Sequence, residues 1–482
     1  MQYEAVIGLE VHCQVKTQSK MFCGCANRFG AEPNTLVCPV CLGYPGSLPV
    51  ANAEAVRKIV AAGLMCGCTI RKDSKFDRKN YFYPDMPKNY QITQLDRPFC
   101  LGGQIPVGGK GFSGQPLPEK TIGITRIHME EDVAKLTHLG KVSAVDYNRA
   151  GVPLMEIVSE PDMRTPDEAY AYLTALKQVL EYAGISECDM EKGQMRCDVN
   201  VSVRPVGQAE FGTKIEIKNL NSFRSAHRSL CYEIPRQIEA AENGEKLRQE
   251  TRRWDDALGV TIVMRVKEHA HDYRYFPEPD LMPVTHTDEQ IQAIRESLPE
   301  VPFVRRDRFV AEYGITPYDA QVLTLEKPLA DYYEEAARGA ANPKQVANWI
   351  ITELLRVLGE QGLTIRECPV TPANLAELAG LVGGGKITGS VAKSTVFPAM
   401  LESGKAPSEI VKEKGLEQVN DDSAIEGFVI QAIAANPKPA EEYKAGKTAS
   451  IQFLVGQVMK LSRGKANPQA VLPLLKKHLD AG

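Results

Sequence analysis

Along residues 6–15, Val-Ile-Gly-Leu-Glu-Val-His-Cys-Gln-Val, apolar and polar positions alternate with a period of two, which predicts a strand. Similar short runs recur at 121–130, 199–203 and 214–218, set among glycines and prolines. They are interrupted by helical spacing over 167–183, introduced by Thr165-Pro166, a capping residue followed by proline in the first turn. The first 290 residues therefore predict an α+β body with mainly antiparallel strands. Beyond about Asp288 the period lengthens to that of helices, over 319–337, 343–358 and 372–382. Pro299-Glu300-Val301-Pro302 and residues 403–407 break the pattern. Near the end, Ile451, Leu454, Val455 and Val458 fall at i, i+3, i+4 and i+7, and a last helix opens at Asn467-Pro468. The expected domains are 1–290, an all-helical 291–405, and a small helical tail, 406–482.

A chain of 482 residues exceeds one hydrophobic core. Its 43% hydrophobic and 24% charged content is ordinary for a globular protein. With a net charge of −4, nucleic-acid contact requires a local basic patch. No apolar run approaches the ~18–20 residues that span a bilayer. The start, Met1-Gln2-Tyr3-Glu4, has no basic, apolar leader, so the expected location is cytoplasmic, with no membrane partner. Twelve cysteines in such a chain point to reduced thiols or metal sites rather than disulfides.

Candidate chemistry starts on the first strand, where Glu10, His12 and Gln14 share one face. That face is either a cleft holding an ion or a solvated edge with an incidental histidine. Cys23-Gly24-Cys25 and Cys38-Pro39-Val40-Cys41 supply two close thiol pairs. Four thiolates suit a closed, structural tetrahedral zinc, the alternative being four buried thiols. In His128-Met129-Glu130-Glu131-Asp132, strand alternation sends Glu130 and Glu131 to opposite sides, one towards a metal and one towards a channel. Asp198 and Asn200 share a strand face. Glu216 sits between apolar neighbours, where an unpaired carboxylate is costly and a hard divalent cation would relieve it. Magnesium is the expected ion, with manganese left open by the histidine. The aromatic, proline-stiffened loop 78–90 presents Lys79 and Lys88. Residues 438–482 hold eight Lys/Arg against three Asp/Glu, and Arg463 and Lys465 occupy a turn before a helix, which is either a place suited to phosphate or simply a solvated helical face. Gly380 to Lys386 mimics half a P-loop, but Ile387 stands where Ser or Thr is required.

Several of these segments fall in longer blocks, IGLEVHCQV (7–15), CPVCLGYPGSLPV (38–50), RKNYFYPDMPKNYQITQ (78–94), HMEEDVAKL (128–136), DYNRAGVPLMEIVSEPD (146–162), RCDVNVSVRP (196–205), EIKNLNSF (216–223) and GQVMKLSRGKANPQ (456–469). In these blocks the chain resembles, over essentially its whole length, the B subunits of the heterotrimeric glutamyl-tRNA(Gln)/aspartyl-tRNA(Asn) amidotransferases. The resemblance implies a cradle-shaped catalytic domain, then helical and tail domains that reach tRNA. It implies ATP-dependent phosphorylation of the side-chain carboxylate of mischarged Glu-tRNA(Gln) or Asp-tRNA(Asn). Ammonia tunnelled from a glutaminase A subunit then attacks the acyl phosphate. By resemblance, Glu10, His12, Glu130 and Glu216 hold the metal beside ATP. Glu131, Asp198, Lys79 and Lys88 handle the ammonium proton, and Arg463 and Lys465 meet tRNA. The implied partners are the A subunit, a small C subunit, mischarged tRNA and a non-discriminating aminoacyl-tRNA synthetase. No glutaminase motif is found in this chain, in keeping with ammonia from another subunit. The rival expectation is a tRNA-binding scaffold whose partner does the chemistry.

Overall fold

The computed structural model describes residues 2–266, 273–417, 422–445, 447–462, 466 and 468–480. It divides into two compact units, Met1–Pro302 and Phe303–Gly482.

In the first unit, the strand Tyr3–Gln14 lies in the middle of a ten-stranded mixed sheet. Leu9, Val11 and Cys13 on one of its faces are at most 1% exposed, while Glu10, His12 and Gln14 on the other remain partly open. The strand pairs antiparallel with Pro153–Ser159 on one side and Met195–Pro205 on the other. Pro153–Ser159 pairs next with Pro116–Glu131, and Met195–Pro205 with Ile215–Leu220. Among the described strands, the one parallel pairing joins Ile215–Leu220 to Glu250–Asp255. The helix Phe223–Glu242 lies between those two strands in sequence, as a parallel crossover requires. Residues directly opposite each other in an antiparallel pair project from the same face, so register decides which side chains meet.

The helix Phe223–Glu242 packs on Met195–Pro205 and Val260–Val266, and Ala53–Met65 packs on Pro116–Glu131. The helix Pro166–Tyr182 packs against Phe223–Glu242. It starts where the sequence signals it: Thr165 Oγ1 accepts the Glu168 N–H at 3.1 Å, and Pro166 opens the first turn. Its Leu173, Leu176, Val179 and Leu180 are fully buried, each stabilising by about 1.5–3 kcal/mol before chain entropy is subtracted. A separate three-stranded sheet, Phe276–Pro277 with Asp77–Asn80 and Tyr90–Thr93, carries the aromatic loop.

The described part of the second unit is helical and buries two apolar clusters, one from Phe309 to Val411 and one from Ile425 to Leu479. The single helical stretch expected at 319–337 is two helices, Pro317–Leu323 and Lys327–Arg338. Pro328 has no N–H to continue the ladder and its ring excludes the preceding turn, so the chain restarts there. The helix Pro407–Glu413 places Ile410 and Val411 in the first cluster, which therefore extends past residue 405. In the second cluster Ile451, Leu454 and Val458 are buried and Val455 packs against them. Arg463 and Lys465 lie outside the described residues. No described helix is long and apolar enough to cross a membrane.

Candidate active site

Register assembles one polar sheet face from five strands. His12 stands opposite Glu156 and Arg196, Glu10 opposite Asp198, Glu156 opposite His128, and Asn200 opposite Glu216. Two acidic clusters form side by side on it.

The first contains His12, Glu130 and Glu156, whose ligand atoms lie within 4.8 Å of one another. His12 Nε2 is 3.3 Å from Glu156 and 3.7 Å from Glu130, and His128 Nε2 is 3.6 Å from each carboxylate. Thr93 and the Gln91 amide each donate to Glu130 at 3.2 Å, and Lys79 Nζ lies 3.8 Å away. Burial opposes ionisation of Glu130, but Lys79, His128 and His12 outweigh it and hold the carboxyl below its ordinary range. Burial likewise opposes charge on His12, and Glu156, Glu130 and Asp198 outweigh it, so the imidazole is pushed up.

The second cluster is Glu10, Asp198 and Glu216, again within 4.8 Å. Asn200 donates to Glu10 at 2.9 Å and Thr251 to Glu216 at 2.9 Å. Lys218 donates to Asp198 and lies 3.0 Å from Glu216. Burial disfavours its charge, but the two carboxylates more than compensate and push it up.

The four residues expected around one ion are thus divided between two groups. His12 and Glu130 stand with Glu156, and Glu10 and Glu216 stand with Asp198. Asp198, expected among the proton-handling groups, is ion-paired with Lys218 rather than with Lys79 or Lys88. The reason is register: Glu10 and His12 are two residues apart on one strand, and each neighbouring strand adds its acid opposite a different one of them. Glu156 escaped the sequence reading. Its signal was the one that marked Glu216, a single charge inside an apolar strand, Leu154-Met155-Glu156-Ile157-Val158. His128 and Lys218 were missed with it.

Glu131 points to the other side of its strand. It pairs with Lys88 and accepts the Ile92 N–H at 2.9 Å; Glu131 is buried and Lys88 partly so. The Lys88 ammonium lies 5.5 Å from the Tyr90 ring centre and 5.7 Å from that of Phe22. Two cavities border the polar face. One, of 720 Å³, is lined by Gln14, Arg28, Lys135, Arg149 and Arg196 among others. The other, of 260 Å³, lies beside Gly8, Glu10, Asn200, Phe211 and Lys214.

The sulfur atoms of Cys23, Cys25, Cys38 and Cys41 lie within 4.8 Å of one another, and all four cysteines are free of disulfides. The Cys38 N–H points at Cys41 Sγ, 3.2 Å away. Lys20, fully buried, places its ammonium 3.6 Å from the same sulfur. The Cys23 thiol, the Cys38 N–H and Lys20 together draw the Cys41 thiol down towards thiolate. Four soft donors at this separation fit zinc, whose tetrahedral sulfurs stand about 3.8 Å apart for bonds of about 2.3 Å.

Residues 5–292 match the family profile described as the GatB/GatE catalytic domain, and residues 331–479 match the GatB domain. The chain is 56% identical to the B subunit of the aspartyl/glutamyl-tRNA(Asn/Gln) amidotransferase of Carboxydothermus hydrogenoformans, over 99% of each chain. The protein of the same name from Thermodesulfovibrio yellowstonii is 52% identical over 99% of this chain and 100% of its own. That of Brevibacillus brevis is 50% identical over 100% and 99%.

Proposed function

The chain belongs to the GatB/GatE family, and we propose that it is the B subunit of a tRNA-dependent amidotransferase, the one that carries out the transamidation. Its substrates are Glu-tRNA(Gln), Asp-tRNA(Asn) or both, misacylated. ATP phosphorylates the side-chain carboxylate, and ammonia from a glutaminase partner displaces phosphate to give the amide.

The observation that carries this reading is the pair of acidic clusters on one sheet face, bordered by lysines. A carboxylate is a poor acyl donor until its oxygen becomes a leaving group. Making the acyl phosphate needs two negative groups held together, so positioning and charge neutralisation dominate. Oxygen-rich donors with one imidazole fit a divalent cation such as magnesium or manganese, held by His12, Glu130 and Glu156 or by Glu10, Asp198 and Glu216. Such an ion supplies charge neutralisation at the phosphates. Lys79 and Lys218 add fixed positive charge beside those acids. The cavity beside Glu10, with Phe211 and Lys214, suits the nucleotide. The basic cavity at Arg28, Lys135 and Arg196 suits the anionic end of a tRNA. On the far side of the strand, Glu131 keeps the incoming nitrogen as ammonia by accepting its extra proton, with the Lys88 ammonium holding that carboxylate in place. The cysteine knuckle holds zinc structurally, and the tail, with Arg463 and Lys465, meets tRNA phosphate.

The experiment uses the assembled complex with its glutaminase and small partner subunits. Replacing Glu216→Ala abolishes phosphate release that depends on misacylated tRNA, while tRNA binding is retained. Full-rate turnover by that variant would favour a scaffold with the chemistry in a partner.

A further inference from the structure

Gly43 stands two residues beyond Cys41 with φ +69°, a backbone conformation that favours glycine. A methyl group added there would lie 2.7 Å from Lys88 Cγ and 2.9 Å from Lys88 Cα. The turn that presents it is tied by Leu42 N–H to Cys38 O at 3.0 Å and Tyr44 N–H to Pro39 O at 2.9 Å. The second cysteine pair therefore lies flush against the Lys88 backbone. Next to the first pair, Phe22 directly precedes Cys23 and turns its ring to the Lys88 ammonium at 5.7 Å. A third junction is Gly151. A methyl group there would be 3.5 Å from Cys41 Cβ, 3.7 Å from Lys20 Cδ and 3.8 Å from Glu131 Oε2. Sulfur cluster, buried lysine, Glu131 and Lys88 thus form one packed block.

We propose that the four-cysteine knuckle is the support of the Lys88–Glu131 pair, with Gly43 and Phe22 as positioning residues for Lys88. This rests on reading that pair as the ammonia-side groups. The effect is one-sided. Glu130, on the opposite face of the strand, is held by Thr93, Gln91, Lys79 and the two imidazoles, and none of these belongs to the knuckle. Displacing the knuckle turn moves Lys88 and leaves the phosphorylating face in place. The acyl phosphate still forms, but its capture by ammonia falters and water hydrolyses it, so ATP is consumed without amide.

The test compares Gly43→Ala, Phe22→Leu and Glu131→Gln in the assembled complex, with ammonium chloride as nitrogen donor. Amide formed per ATP hydrolysed is measured together with zinc content and the KM for ammonium. Gly43→Ala and Phe22→Leu are expected to retain zinc and tRNA-dependent phosphate release. The amide yield per ATP falls by about tenfold or more, towards the about 10²-fold that a displacement of about 1 Å can cost, and the KM for ammonium rises. Should Gly43→Ala shed its zinc, Phe22→Leu decides by the same ratio. An unchanged ratio, or amide and phosphate release falling together, while Glu131→Gln uncouples them, overturns the knuckle's role alone. If Glu131→Gln leaves the ratio unchanged, the reading of the pair falls and the inference with it.

Discussion

Glu130 and Glu131, adjacent in the chain, leave their strand on opposite faces, and each meets a lysine of the same aromatic segment. Lys79 lies 3.8 Å from Glu130, while Lys88 is ion-paired with Glu131. Lys79 stands in register opposite Gln91, whose amide donates to Glu130 at 3.2 Å. In the proposed function, that one strand divides the phosphoryl-transfer face from the ammonia side.

The two glutamates should fail differently. Glu130→Gln is expected to lose phosphate release from ATP dependent on misacylated tRNA. Glu131→Gln should keep that release and lose amide formation by about 10²-fold or more, the usual reach of acid–base groups. Parallel assays of phosphate and amide on each variant check the division; identical defects would contradict it.

Glu156 is expected to matter as much as the residues legible in the sequence. Its carboxylate lies 3.3 Å from His12 and completes the first cluster. Glu156→Ala should weaken manganese binding, measured by titration calorimetry, by about tenfold or more.

For the sulfur site, metal analysis of the purified chain should find close to one zinc, lost on changing Cys38→Ser and Cys41→Ser. Lys20→Met should retain the fold and release zinc faster to a colorimetric chelator, because its ammonium balances thiolate charge in a buried place.

A pH effect should appear in the helical unit. Burial works against the charge of Glu334, but hydrogen bonds from Arg308 and Arg305 outweigh it and draw the carboxyl down to about 2. A carboxyl lower in the folded than in the unfolded chain stabilises fully above its ordinary value and loses that contribution as pH falls towards 2. Glu334→Gln should therefore cost about 3 kcal/mol at pH 7, by leaving buried Arg305 with Asp331 as its remaining acid partner, and roughly half of that or less near pH 3. Urea unfolding at the two pH values measures the difference.

Legibility followed the range of each signal. Alternation in the first strand marked Glu10 and His12 because only local geometry was needed, and the thiol spacing marked the knuckle for the same reason. The grouping of the acids depends on strand register, which brings Glu156 opposite His12 and Asp198 opposite Glu10 from about 144 and 188 residues away in sequence. No local pattern contains that. The break at Leu325-Glu326 was hidden by apolar spacing that continues across it, although Pro328 was a usable warning. Lys20, a buried charge beside one buried sulfur, was invisible because its reason lies in Cys41 and Tyr147.

Metal-assisted phosphoryl transfer on the polar sheet face is decided by a diffraction map of the assembled complex soaked with manganese and a non-hydrolysable ATP analogue. An anomalous peak is expected about 2.0–2.5 Å from oxygen or nitrogen donors of the His12–Glu130–Glu156 or the Glu10–Asp198–Glu216 group, next to the terminal phosphate. Nucleotide and manganese bound together elsewhere, with both groups free of metal, would contradict it.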